Sequence, residues 1–456
     1  MLTIYGKPTQ PAGFCDRFSR RTFLKIGGAA LGSLGLHELL QAEALAGIGS
    51  SHKAIINIYL PGGPPHIDMW DLKPDAPREI RGEFKPIRTN VSGIEIGELF
   101  PRMAQMMDKF AIIRSLSDSD GAHDCYQCLT GRKKNDRGPN GGWPSAGAWV
   151  SRLGGVANKA IPPNLALMYK TGNGTWGEPQ TAGFLGPKHN PFNLLGSKAR
   201  EKADNMVLHG ITLDRLQDRE GLRAAFDRFR RDIDVAARME SVDAYMEQAL
   251  GILTDSKLGN ALDLSQEDPK IVERYGKCDE KFQRDGAPRM IENFCIARRL
   301  VEAGARYVAL NYSRWDWHGG DGMNFVQSRE DFPLLDQGLS ALVTDLHERG
   351  LDKDVSVVVW GEFGRTPKLN NKNSRDHWPQ ANCAVVAGGG LRTGQVIGAT
   401  NKYGEVPAKR PVKFQEVFAT LYHQMGLDAH RDRVFDGSGT PRYPVDSDVE
   451  PIHELI

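Results

Sequence analysis

The sequence predicts an α/β protein with a mostly parallel central sheet, helices on both faces and a helical insertion. Three observations carry that expectation. Val355, Val357, Val358 and Val359 form a short β-branched run of the kind buried on both faces of a parallel sheet. A second run, Ala54 to Leu60, breaks into Pro61-Gly62-Gly63-Pro64, and the loops after both runs carry acids and imidazoles. Ligands bind at such strand ends in open α/β sheets. Finally, 50 glycines in 456 residues suit many strand-to-loop turns better than a helical bundle.

Residues 1–46 stand outside the fold. Ser19-Arg20-Arg21-Thr22-Phe23-Leu24-Lys25 has the form of a twin-arginine export signal. A short apolar segment, Ile26 to Leu36, follows, and Ala44-Leu45-Ala46 supplies a small-x-small cleavage site before Gly47. The segment is too brief to remain as a bilayer anchor. The expected location is periplasmic or extracellular, with no stable membrane anchor after processing. Residues 47–456 then read as one domain.

Composition sets limits on partners. Residues 1–46 carry five Lys/Arg and three Asp/Glu, so the remaining chain has 53 basic against 54 acidic residues. That balance gives no general attraction to nucleic acid or anionic lipid. Five cysteines remain: Cys125, Cys128, Cys278, Cys295 and Cys383. Cys125-x-x-Cys128 lacks a second pair at metal spacing, so it reads as a structural pair, with a disulfide as the alternative.

The elements follow in order. Ala54 to Leu60 is a strand, a helix runs from about Leu99 to Asp108, and Phe110 to Leu116 is a second strand. Residues 137–190, rich in Gly, Pro, Asn and Trp, read as loops with one strand at Asn164–Tyr169. Residues 213–275 turn helical and charged, with apolar residues at threes and fours, and are taken as the insertion. Met290–Ala303 is a helix, Arg306–Tyr312 a strand, Phe332–Arg349 a helix, and Ala384–Ala387 a strand. Phe414–Met425 is a late helix.

Chemistry-bearing residues crowd the strand ends. His66, Asp68 and Asp71 follow the first strand, and Ser117 to Asp124, with His123, follow the second. After Arg306–Tyr312 comes Trp315-Asp316-Trp317-His318-Gly319-Gly320, where alternation sends Asp316 and His318 to one side. Glu362, in Gly361-Glu362-Phe363-Gly364, falls just past the valine strand, and Arg365, Thr366 and then Asp376-His377-Trp378-Pro379 follow it. Acids and imidazoles so placed suit either a metal site or capped turns.

The order of these motifs resembles the alkaline phosphatase superfamily, which includes sulfatases and cofactor-independent phosphoglycerate mutases. More closely, LPGGPPHIDMWDLKPD, WDWHGG, WGEFGRTP and RDHWP resemble the family catalogued as domain of unknown function 1501, over essentially all of residues 47–456. The resemblance implies a three-layer alkaline phosphatase-like fold. It also implies one metal position at Asp316, His318 and His377, and a second drawing on Asp68 (or Asp71) and Glu362. The expected cofactor is a divalent metal, zinc or manganese, with calcium or magnesium as alternatives.

The superfamily's own patterns are only partly present. No imidazole follows Glu362, and although Thr130-Gly131-Arg132 matches the end of a sulfatase motif, counting back from it reaches Gly121 to His123 and no Ser or Cys. Ser117, Ser119 and Thr366 stand out of register. His123 is therefore read as a ligand or acid/base group, Arg365 as the fork for an anionic oxygen, and a metal-activated water as the nucleophile. The expected function is an exported, metal-dependent hydrolase of phosphate or sulfate esters, acting on a small-molecule or carbohydrate ester. The alternative is a noncatalytic exported binding or assembly protein that retains the fold.

Overall fold

The computed structural model describes residues 53–195, 256–320 and 322–456. The segment expected to be an export signal, and residues 213–255 of the expected helical insertion, lie outside the described residues. One nine-stranded sheet organises the rest. Its strands, in chain order, are β1 (Ala54–Tyr59), β2 (Phe110–Ser117), β3 (Asn164–Leu167), β4 (Phe192–Asn193) and β5 (Tyr307–Asn311). β6 (Val355–Trp360), β7 (Asn382–Gly388), β8 (Gln395–Ile397) and β9 (Val412–Lys413) complete it. The order across the sheet is β8-β2-β7-β6-β1-β5-β3-β4, with β9 also beside β2.

β1 pairs in parallel with both β6 and β5, and β5 with β3. β7 alone runs antiparallel to its two neighbours, β6 and β2. Two reversals restore direction, so β1, β2, β5 and β6 all end at the same edge. That edge receives the loops singled out above.

Both faces of the sheet are covered, which explains the continuous apolar runs. Along β1, Ile56 and Ile58 enter one core with Val357, Val359, Phe294 and Phe332. Ile55 and Tyr59 enter the other with Val358, Trp149, Phe418 and Tyr422. Alternation along a strand thus feeds two cores rather than one core and solvent. The first core is closed by helices α2 (Glu292–Ala303) and α3 (Met323–Glu348), the second by α1 (Ala146–Gly154) and α4 (Phe414–Gln424). Three layers result, as expected.

Two helices depart from the sequence reading. The helix expected over Leu99–Asp108 is a short α-helix, Pro101–Gln105, followed by a 3-10 turn, Met107–Lys109. α3 starts at Met323 instead of Phe332 and runs 26 residues with Pro333 inside it. Burial of Asn324, Phe325 and Ser328 holds the turns before the proline, so tertiary packing overrides the local break. The described end of the expected insertion forms helices Lys257–Leu262 and Pro269–Tyr275. Arg274 there binds Asp345 of α3, and Glu267 binds Arg298 of α2.

Cys125 and Cys128 are buried free thiols, and burial pushes both pKa values up. Among the described residues, no helix is long and apolar enough to cross a membrane.

Candidate metal centre at the carboxyl edge of the sheet

The loop after β1 sets the scaffold. Gly62 has φ +104°, and a Cβ there would stand 2.5 Å from the backbone nitrogen of Asp316. A Cβ on Gly63, at φ +74°, would meet the Phe363 ring at 2.4 Å. Only glycine lets the three loops after β1, β5 and β6 meet.

Asp316 lies at the centre, largely buried. Trp315 and Trp317 alternate with it and pack into the core, while Asp316 and His318 face the edge. His318 Nε2 lies 3.2 Å from Asp316 Oδ1. His377 is brought in by a two-residue antiparallel pairing of Gly364–Arg365 with His377–Trp378. Its Nε2 lies 2.9 Å from Asp316 Oδ1. His123, from the loop after β2, places Nε2 3.8 Å from Asp316 Oδ2. One ligand atom each from His123, Asp316 and His377 falls within 4.8 Å of the others.

The expected ligand set is therefore rearranged. Asp316 and His377 come together as anticipated, but His123 is the third member of the tight group, while His318 sits at the rim with its side chain 45% exposed.

Two expected residues are turned to other work. Asp68 is fully buried and forms a two-point pair with Arg375, Nε to Oδ2 at 2.7 Å and Nη2 to Oδ1 at 2.8 Å. Asn324 Nδ2 donates to it at 2.9 Å. So paired, Asp68 stands apart from the group of His123, Asp316 and His377, and its alternative, Asp71, is held by Lys73 and Thr400.

Arg365 cannot serve as the fork for an anionic oxygen. Fully buried, it donates to the carbonyls of Gly63 (2.7 Å), Trp315 (3.1 Å), Arg375 (3.2 Å) and Gly62, and to Asp316 Oδ1 at 2.8 Å. Its Nε and Nη2 are committed to these groups and Nη1 to the Arg375 carbonyl, so the fork is turned into the protein and away from the open edge.

Glu362, expected as a ligand, is almost fully buried behind the group. Its carboxylate accepts from Gly62 N (2.9 Å), Gly63 N (3.2 Å) and Trp176 Nε1 (3.0 Å). His123 Nδ1 is 3.6 Å from its Oε1.

Electrostatics favour an ionised Asp316. Burial opposes the charge, but the His377 contact and the Arg365 cation outweigh it and hold the carboxyl well below the usual range. Arg314 Nη2 adds a contact to Oδ2 at 3.2 Å. For His318 the balance is reversed: burial lowers its pKa, and the Asp316 charge only partly offsets that.

A carboxylate and two imidazoles suit zinc or manganese. The fit is supported by the convergence of one donor atom from each of the three residues, all within 4.8 Å of one another. Two arginines on Asp316 reduce the charge it brings to an ion.

The sequence reading missed Arg314, Trp176 and Arg375. Arg375 was legible in part, standing two residues before His377. Trp176 carried no local signal, because its partner Glu362 is distant in sequence.

A family model described as "Protein of unknown function (DUF1501)" matches residues 52–456. No curated protein matches the chain. Among solved structures, the PsFucS1 sulfatase from Pseudoalteromonas sp. is similar at 11% identity and TM-score 0.34, over 85% of this chain and 70% of that one. Phosphonate monoester hydrolase SpPMH from Silicibacter pomeroyi is similar at 11% identity and TM-score 0.38, over 88% and 76%. The lipoteichoic acid synthase LtaP from Listeria monocytogenes is similar at 12% and 0.29, over 84% and 73%. Likeness at this level carries no argument about the chemistry of the site.

Proposed function

Because the chain belongs to the DUF1501 family, whose model spans residues 52–456, its activity has to be read from its own site, and we propose an exported, metal-dependent hydrolase of phosphate or sulfate esters. One observation carries the reading: His123, Asp316 and His377 converge at the carboxyl edge of a mostly parallel sheet, where such sheets bind ligands. These three residues would hold the ion. A divalent ion bound there polarises an ester oxygen and lowers the pKa of a water.

The chain's own groups divide the remaining work. Asp316 is kept ionised by Arg365 and His377, and so is available as a ligand across the neutral range. His318, half exposed and with a lowered pKa, is a neutral imidazole at pH 7 and can take a proton from an attacking water. The hydroxyls noted in the sequence are turned to backbone carbonyls: Ser119 to Glu362, Ser117 to Val412, and Thr366 to Lys368. A water nucleophile is accordingly favoured over a covalent intermediate. The substrate class is a small-molecule or carbohydrate ester, and near-neutral charge argues against a nucleic acid.

A second reading is favoured by Arg365. With the strongest oxyanion fork committed inward, the chain is a noncatalytic binding or assembly protein that keeps the fold and one metal. Metal-loaded protein assayed on a panel of phosphate and sulfate monoesters, free and sugar-linked, separates the two. Turnover that His377→Ala abolishes supports the hydrolase; metal bound without turnover supports the second reading; no bound metal overturns both.

A further inference from the structure

We propose that Glu362 positions His123 from behind, without touching the ion itself. The inference rests on His123 belonging to the site described above. The His123 ring has two nitrogens with opposite surroundings. Nε2 faces Asp316 at 3.8 Å, while Nδ1 is buried, lacks a hydrogen-bond partner, and has Glu362 Oε1 at 3.6 Å. A bare nitrogen lone pair facing a buried carboxylate is repelled, whereas an N–H dipole is attracted, so the neutral ring carries its proton on Nδ1, toward Glu362. That tautomer leaves the Nε2 lone pair directed at Asp316 and His377.

Glu362 is built to stay in place. Three N–H donors, from Gly62, Gly63 and Trp176, fix the carboxylate so that its charge faces His123 Nδ1 at 3.6 Å. Trp176 also meets the His123 ring edge-on at 5.0 Å, and Phe363 meets it at 5.3 Å. The ring is thereby walled in the plane that the carboxylate selects. A histidine ligand oriented by a carboxylate on its other nitrogen is a common device, and losing that carboxylate lowers metal affinity by about 10–100-fold.

The test is made on the whole chain, with and without zinc. Two-bond proton–nitrogen NMR correlations report the His123 tautomer in metal-free protein, with His123→Ala giving the assignment. Nδ1–H is expected in wild type, and Glu362→Gln is expected to shift the ring toward Nε2–H. The same variant should weaken zinc binding about 10–100-fold by chelator competition, while Glu83→Gln leaves it unchanged. Nε2–H in wild type, or unchanged tautomer and affinity in Glu362→Gln, overturns the proposal. If Glu362→Gln does not fold, the wild-type tautomer decides. Nδ1–H in a wild type that binds no zinc would sink the metal reading and leave the orientation of His123 by Glu362 standing.

Discussion

Glu362 and Arg365, three residues apart, hold opposite sides of the same dipeptide. Glu362 accepts from the N–H groups of Gly62 and Gly63, and Arg365 donates to the carbonyls of those two residues. Arg365 also reaches Asp316, so the loop after β6 locks the loops after β1 and β5 together. The most function-like motif in the sequence is thus first a clamp, and it supports a site made by its neighbours.

The clamp predicts a strict need for glycine at position 62. Gly93, at φ +82° with nothing within 4 Å of an added methyl, provides the comparison. Gly93→Ala should cost about 1–2 kcal/mol from backbone strain alone. Gly62→Ala adds a collision with Asp316 and should cost more in urea denaturation. Equal costs would show that the close approach is unimportant.

Asp68 and Arg375 form a buried pair, and removing one partner leaves a charge with no water to solvate it. Asp68→Ala should lose roughly 3–5 kcal/mol of stability. Glu83, exposed and paired with Arg329, should lose less than about 1 kcal/mol on replacement by Ala. A small loss at Asp68 would mean the pair does not form as described.

His377→Ala and His123→Ala should each bind much less zinc or manganese than wild type, whereas His423→Ala, on exposed α4 surface, should match wild type. Metal at about 100 times its Kd should stabilise wild type by roughly 2.7 kcal/mol, and the gain should vanish in the first two variants. Equal metal content in all four proteins would remove the basis of the site.

His66 predicts an acid limb. Burial, then Arg375 and Lys73, lowers its pKa to about 3. Between about pH 6.5 and 3 the unfolded chain takes up a proton that the folded one refuses, so stability falls as pH falls. The full loss is on the order of 5 kcal/mol, and none of it is expected above about pH 7. Urea titrations of wild type and His66→Gln should diverge in slope across that window; parallel curves would contradict the burial.

Export is predicted from Arg20 and Arg21. Replacing both with lysine should leave unprocessed precursor in the cytoplasm on cell fractionation. Normal processing and secretion of that variant would rule the route out.

Much of the fold was legible because burial on both faces writes uninterrupted apolar runs, as in Ala54–Tyr59 and Val355–Trp360. The meeting of Asp316 and His377 was legible because strand-end loops gather at one edge, but the place of His123 rather than His318 beside them was not. Nor was the use of Asp68 and Arg365. A sequence shows which side chains can bind an ion or an anion, but not which have already found a partner; Asp68 and Arg375 are 307 residues apart. The early start of α3 was hidden for a similar reason, since Phe325 is stabilised by Phe84 from a distant segment.

The place of β1 in the sheet also bears on how the chain matures. The first described strand sits between β5 and β6, whose residues are translated far later. At about 5–20 residues per second, roughly 15–60 s separate the synthesis of Tyr59 from that of Trp360. Until β5 is made, Ala-Ile-Ile-Asn-Ile-Tyr, apolar and uncharged, has neither lateral neighbour, and until β6 is made it has at most one; bare strands of this kind pair with wrong partners. A central strand of the finished sheet is therefore a hazard of the nascent chain, and a chaperone that shields it must hold on until β5 and β6 have emerged.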